Sequence, residues 1–213
     1  EAHAVVREIE SMGRRAVALP LDLADSSAFA AFAQRVKAAL AQTWAREHFD
    51  HLVNNAGVGA HAAFAEATEA QFDLLAAVHL KGTFFLTQKL LPLIADGGRI
   101  VNISSGLARF TFPGYAAYAV MKGGVEVLTR YLAKELSPRG ITVNTVAPGA
   151  VETDFGGGAV RDNAALNAQI AGVTALGRVG LPDDIGGAVA QLLGEGNHWI
   201  TGQRIEVSGG MML

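Results

Sequence analysis

The sequence contains no cysteine among its 213 residues. That excludes a disulfide framework and any Cys-based zinc or iron–sulfur site. Charge is sparse, at 17% Asp, Glu, Lys and Arg, with a formal net charge of −3. No basic block occurs, which disfavours a general nucleic-acid binder. No apolar run reaches the roughly 18 residues that would suggest a membrane span. His3, His48, His51, His61, His79 and His198 show no His-Glu-x-x-His spacing, and no metal site is expected. Repeats, low-complexity tracts and charged linkers are also missing, so a single domain, 1–213, is expected. Apolar material is plentiful: half the residues are hydrophobic, enough for a large core.

The pattern along the chain alternates between helix and strand. Val5, Val6, Ile9 and Met12 have helical spacing, and Gly13 is a plausible stop. Arg15–Asp22 reads as a strand, Asp25 or Ser26 as the cap of a helix over Ser27–Ala45, and His51–Asn55 as a short strand. Thr68–Ile94 reads as a long helix bent or interrupted near Pro92. A β-branched strand, Arg99–Ser104, precedes a helix over Tyr118–Leu136. Ile141–Val146 is a strand closed by Pro148-Gly149, Pro182 opens a helix to Leu193, and Gln203–Val207 is a last strand. This order predicts an α/β fold: a doubly wound, Rossmann-like parallel sheet in three αβα layers. In such sheets ligands sit beyond the carboxyl ends of the strands, where Asp22, Asn54–Gly57, Ser104–Gly106 and Pro148-Gly149 cluster.

Tyr118 and Lys122 are four residues apart and share a helix face. An ammonium near a phenol favours phenolate, which lowers the tyrosine pKa from about 10 and suits it to general acid/base work. Alone the pair also fits a solvated helix face. Ser105 ends the preceding strand and could bind a carbonyl or alcohol oxygen beside Tyr118.

Asn54-Asn55-Ala56-Gly57, Ile103-Ser104-Ser105, Tyr118-Ala119-Val120-Met121-Lys122 and Pro148-Gly149 resemble the successive motifs of the short-chain dehydrogenase/reductase family, in order and spacing. Ile200-Thr201-Gly202-Gln203 and Val207-Ser208-Gly209-Gly210 resemble its last strand and turn. The resemblance implies hydride transfer between NAD or NADP and an alcohol or ketone. It makes Tyr118 the general acid/base, Lys122 the group that tunes it and holds the nicotinamide ribose, and Ser105 the partner of the substrate oxygen. It places Asp22 and Leu23 at the adenine, Asn55, Ala56 and Gly57 along the cofactor, and Ile103 near the ribose. It places Pro148, Gly149, Val151 and Thr153 beside the nicotinamide, and gives Asn54 a loop-holding role. It also implies a cytoplasmic homotetramer or homodimer, paired through the Thr68–Ile94 and Tyr118–Leu136 helices, whose apolar faces could equally be buried against the sheet. Met211-Met212-Leu213 would be covered at an interface.

Two departures stand out. Where many members have asparagine, in a pattern like Val-Asn-Leu-x-Gly, this chain has Val78-His79-Leu80-Lys81-Gly82. Neutral histidine can donate and accept a hydrogen bond, so His79 either keeps that asparagine's proton-relay role or is merely packed. The family also begins with a strand, a glycine-rich phosphate loop, a helix and a second strand, and no such loop is found; Gly156-Gly157-Gly158 lies too late in the chain. The chain opens at Glu1 within an amphipathic pattern. We therefore expect part of a longer enzyme, without an N-terminal β-α-β unit of roughly 35–40 residues. Arg15–Asp22 and His51–Asn55 should then not pair with each other, leaving two strand edges open.

Residues 153–180 are expected to form a substrate-binding lid. Leu107–Tyr115 should also face the substrate; its apolar side chains with a single charge, Arg109, suggest an apolar or mixed molecule. Two other readings compete. A non-catalytic nucleotide-binding or scaffolding protein would explain the missing phosphate loop. A serine hydrolase would use Asn102-Ile103-Ser104-Ser105-Gly106 as an imperfect nucleophile elbow, with Asp183 or Asp184 and His198.

Overall fold

The computed structural model describes residues 1–213. Four strands form one parallel sheet in the order β1 (Phe49–Asn54), β2 (Ile94–Ile103), β3 (Thr142–Pro148) and β4 (Arg204–Val207). Helix α1 is Ala2–Ser11, α2 Phe29–Trp44, α3 Glu69–Leu75, α4 Thr83–Leu90 and α5 Ala116–Glu135. Helices α6 (Ala159–Asp162) and α7 (Ala164–Gly172) lie in the region expected to be a lid, and α8 is Pro182–Leu193.

Adjacent residues of a strand face opposite sides. On β2, Ile100 packs with Ala133 and Leu136 at the end of α5, whereas the neighbouring Arg99 donates to the Leu193 carbonyl at the end of α8. Helices α5 and α8 therefore cover opposite faces, giving the expected three layers. The core beneath α5 joins Ile94, Ile100, Ile141 and Val143. A second cluster joins Phe29 and Ala33 of α2 to Leu86 and Leu90 of α4, with Phe49 and Leu52 of β1 against it.

Arg15–Asp22 carries the composition of a strand but forms no ladder. Instead it runs beside α2, where Arg35 donates to the Pro20 carbonyl and Leu21 and Leu23 join the α2–α4 cluster. A strand needs a neighbouring edge, and this segment does not pair with β1. Between them lies an apolar cleft of about 400 Å³, lined among others by Leu21, Leu23, Phe32, Leu52 and Val53.

The long helix expected over Thr68–Ile94 is broken, but not chiefly at Pro92. A Thr68–Gln71 capping box starts α3, and a π-helical stretch, Ala76–Gly82, separates it from α4. Pro92 sits in a short 3₁₀ turn, Leu91–Leu93, after α4 has ended. A π-turn admits an extra residue into the helix and often marks a functional site; this one contains His79.

The glycine-rich segment is a 3₁₀ turn, Phe155–Gly158, in which Gly156, Gly157 and Gly158 have φ of 63°, 74° and 78°. Side chains other than glycine rarely adopt three successive positive φ values. Beyond α7 this region is tied to the C-terminus, where the Met212 amide donates to the Val173 carbonyl and Ala175 to that of Gly210.

Candidate active site

The site forms where β1, β2 and β3 end. Asn54 closes β1 and is held from two sides, its Nδ2 donating to Asn102 Oδ1 (2.8 Å) and Thr87 Oγ1 (3.0 Å). Asn102 Nδ2 donates to Thr129 Oγ1, which also accepts from Thr145 Oγ1. This polar network links three strands to two helices, and it ties Asn54 to β2 and α4 rather than to the loop that follows it.

Tyr118 and Lys122 lie on successive turns near the start of α5, 7% and 5% exposed. Lys122 Nζ donates to the Ile103 carbonyl at 2.8 Å and lies 5.6 Å from the Tyr118 ring centre. Burial pushes the Lys122 ammonium down to about 8, because the charged form loses its hydration. Burial pushes Tyr118 up to about 12, and the hydrogen bond from Ser105 offsets only part of that rise. The lowered tyrosine pKa expected from the sequence is thus reversed. The ammonium is spent on Ile103 and stands over the ring, while desolvation of the phenolate dominates.

Ser105 caps the short turn Gly106–Ala108, its Oγ accepting from the Leu107 amide at 3.2 Å. His79, 1% exposed, stands edge-on to Tyr118 with ring centres 5.1 Å apart. Its Nε2 lies 2.7 Å from the Val58 carbonyl and 3.3 Å from the Val58 amide. The shorter contact favours the tautomer with the proton on Nε2. Nδ1 is then a bare acceptor, and it is buried without a partner. Burial, with Lys122 nearby, holds the imidazole down to about 4, so the ring is neutral near pH 7. The ring also occupies the space beside Gly57: a Cβ there would come within 2.7 Å of His79 Cε1.

The remaining expected site residues lie at the strand ends and in the loops that follow them. Leu23, Asn55 and Ala56 line the cleft beside β1, and Asp22 adjoins it, its Oδ1 accepting from the Ala24 amide. Pro148 ends β3, and a Cβ on Gly149 would meet Ser208 at 2.9 Å. Val151 bridges to Gly180, and Thr153 Oγ1 accepts from the Phe155 amide. Phe155 itself was not singled out from the sequence. It lies 5.8 Å from the Tyr118 ring, brought there by the glycine turn across 37 residues of chain, a contact that no local pattern signals.

Several expectations are corrected. Arg109 does not offer its charge to a substrate: its guanidinium forks onto Glu206 at 2.6 and 2.7 Å and also donates to the Met211 carbonyl. Phe110 is buried with Ile170, Val179 and Met211. Met211 is covered within its own chain, while Leu213 is exposed. The hydrolase constellation does not assemble. Ser104 is buried with its hydroxyl on Glu126, His198 contacts Arg99, which reaches the α8 side of the sheet, and Asp184 pairs with Arg178. Of the two apolar helix faces, Leu75, Leu86, Val125, Leu128 and Leu136 are buried, whereas Phe72, Phe85, Val120, Val127 and Tyr131 are exposed.

The donors at this centre suit the nicotinamide–ribose half of a dinucleotide. Lys122 Nζ has three protons and one acceptor, leaving two protons for sugar hydroxyls. Gly57 has no room for a side chain because the His79 ring fills that space. The residues fit the nicotinamide–ribose half. The chain holds no glycine-rich loop between a strand and a helix for the pyrophosphate.

The chain is similar to known proteins along its whole length. The profile of a family described as enoyl-(acyl carrier protein) reductase matches residues 1–212. The chain is 36% identical over 215 residues to the 3-oxoacyl-[acyl-carrier-protein] reductase FabG of Staphylococcus aureus, covering 100% of this chain and 84% of that protein. It is similar to the structure of LugOII, a promiscuous reductase that catalyses keto-reduction at C1 during lugdunomycin biosynthesis (TM-score 0.93, 38% identity, 100% and 83% of the two chains). It is equally similar to the angucycline C-6 ketoreductase LanV with bound NADP (TM-score 0.93, 35% identity, 99% and 81%).

Proposed function

The chain belongs to the short-chain dehydrogenase/reductase family, and from that premise we propose that it reduces ketones, or oxidises the corresponding alcohols, with NAD or NADP. The observation that carries this reading is the burial of Tyr118 between Lys122, Ser105 and His79 at the strand ends.

A bound nicotinamide ring supplies the hydride in the reducing direction. The residues do the rest. Ser105 orients the carbonyl oxygen through its hydroxyl. Tyr118, a protonated phenol with its pKa near 12, delivers the proton to that oxygen as the hydride arrives. Lys122 faces the resulting phenolate in a dry pocket, where charge stabilisation is strong, and its two free protons hold the ribose. His79 stays neutral, so it adds no competing cation. Its Nδ1 has no partner and is left free to accept a hydrogen bond, as the relay reading requires. Asp22, Leu23, Asn55, Ala56, Gly57, Ile103, Pro148, Gly149, Val151 and Thr153 would border the cofactor when it is bound.

The substrate is an apolar ketone. A cavity of about 470 Å³ lined by His61, Phe64, Leu107, Phe112, Pro113 and Tyr115 supports this. So does Phe155 against Tyr118. A 3-oxoacyl-[acyl-carrier-protein] and an angucycline ketone, after the names of the relatives, are the first to try. Phe72, Phe85, Val120, Val127 and Tyr131 leave an apolar face on α3, α4 and α5 for a second copy of the chain, giving a homodimer or homotetramer. No helix is long and apolar enough to cross a membrane, which fits the cytoplasmic location we infer.

The test is to mix the purified protein with reduced NAD or NADP and a ketone panel and follow the reduced-nicotinamide absorbance. Turnover lowered by about 10²–10⁴ in Tyr118→Phe is expected. Dinucleotide binding without turnover of any ketone or alcohol would favour a non-catalytic nucleotide-binding role.

A further inference from the structure

A ladder of alternating charges runs from the C-terminal turn to the back of the candidate site. Arg109 forks onto Glu206. Glu206 Oε2 also accepts from Arg204 Nη1 at 2.9 Å, and Arg204 Nε donates to Glu126 Oε1 at 2.8 Å. The same Glu126 oxygen accepts from the Ser104 hydroxyl at 2.7 Å. The remaining arm, Arg204 Nη2, donates to the Ser105 carbonyl at 3.3 Å. The side chains of Glu126, Glu206 and Arg204 are 13%, 19% and 23% exposed, so solvent competes little for these contacts.

Each arm of the fork is thus spent on a different element: α5, β4 and the end of β2. The Ser105 carbonyl otherwise accepts only within its own turn, from the Ala108 amide. Arg204 is the tie from outside that turn, while the Ser104 amide, donating to the Val146 carbonyl, pins the preceding residue. A planar fork with several donors can hold three acceptors at once, whereas an ammonium on a flexible stem is a point charge.

We propose that Arg204 is a positioning residue: clamped by Glu126 and Glu206, it holds the Ser105 backbone so that the Ser105 hydroxyl faces Tyr118 and the substrate oxygen. This rests on the reading of Ser105 as the group that orients that oxygen. Small misplacements of a reacting group are costly, up to about a hundredfold for an ångström. Removing the fork should therefore lower kcat and leave cofactor affinity alone.

The test is a double-mutant cycle with ethyl acetoacetate and NADPH. Ser105→Ala should lose most of kcat. Arg204→Gln should lose about tenfold in kcat, with its KM for NADPH changed by less than about twofold, and Arg204→Lys should recover little of the loss. In the Ser105→Ala background, Arg204→Gln should have no further effect, because the hydroxyl it positions is gone. A second readout needs no turnover. Arg204→Gln should speed exchange of the Leu107 amide, which donates to Ser105 Oγ, and leave the α5 amides unchanged. If Ser105→Ala alone leaves kcat intact, the reading of Ser105 fails. If it lowers kcat but the two losses multiply, the role given to Arg204 fails and that of Ser105 stands. Should no turnover be measurable, Leu107 decides: exchange that is unchanged, or faster everywhere, overturns the proposal.

Discussion

The ring of His79 stands edge-on to the ring of Tyr118, their centres 5.1 Å apart and their planes at 89°. One imidazole edge holds Val58 and the other faces Gly57, so a single side chain joins the helix that carries it, the loop after β1 and the candidate acid. In the histidine–tyrosine contact both partners are neutral near pH 7, with pKa values of about 4 and 12. Lys122 is left as the cation of this cluster.

His79 and Gly57 should behave as a coupled pair. Gly57→Ala puts a Cβ within 2.7 Å of the imidazole, and should cost about 1–3 kcal/mol by overpacking. In a His79→Asn background most of that penalty should vanish, because asparagine is shorter. His79→Asn alone should keep activity and His79→Leu should lose most of it. Equal activity in the leucine variant would leave His79 as packing only. Denaturant melts and steady-state rates of the four variants decide.

Acid should expose the buried imidazole. Its pKa is about 4 in the fold, against 6.5 in an unfolded chain. Between those values the unfolded state binds the extra proton, so stability falls as pH drops from 6.5 through 4. The contribution is roughly 3 kcal/mol. It is fully present above pH 6.5. His79→Asn should flatten the slope of stability with pH in that window by about one proton. An unchanged slope would place the effect elsewhere.

Lys122 should be a liability to stability and an asset to catalysis. Its pKa of about 8, against 10.5 for a solvated lysine, means that the fold disfavours its charged form. That penalty is full below pH 8 and relieved as pH rises to 10.5. Lys122→Met should therefore raise stability near pH 7 by about 2 kcal/mol, after the lost bond to Ile103 is allowed for. The gain should disappear by pH 10.5, and turnover should collapse. A lower melting temperature at pH 7 would contradict this.

Tyr118→Phe removes one oxygen and keeps the ring against His79 and Phe155. The melting temperature should stay within a few degrees, while kcat falls by about 10²–10⁴. Any pH dependence of the rate that belongs to the phenol should vanish with it.

Much of this site was legible in the sequence, because its signals are local. Tyr118 and Lys122 share a face through helix periodicity, and Asn54, Ser105 and Pro148-Gly149 sit where strands end. Strand pairing is not local, and Arg15–Asp22 shows the difference: its composition suits a strand, yet no neighbouring edge meets it. Arg109, Glu126, Arg204 and Glu206 lie up to 97 residues apart in sequence, and no spacing announces that they form one ladder. The direction of the Tyr118 shift was misread for a related reason. Sequence places a cation nearby but does not say how dry the pocket is.

The π-turn at Ala76–Gly82 makes the length of this helix as informative as its composition. Such a turn holds one residue more than an α-helical path would. Deleting any one residue there could heal the backbone into a regular helix, and the positions downstream would keep their bearing. Leu86 and Leu90 would stay in the core, while the residues of the turn itself, His79 among them, would be re-aimed and the contact with Tyr118 lost. Relatives that keep the imidazole or its asparagine counterpart should therefore show no insertions or deletions across these seven positions, however freely the surface residues among them vary.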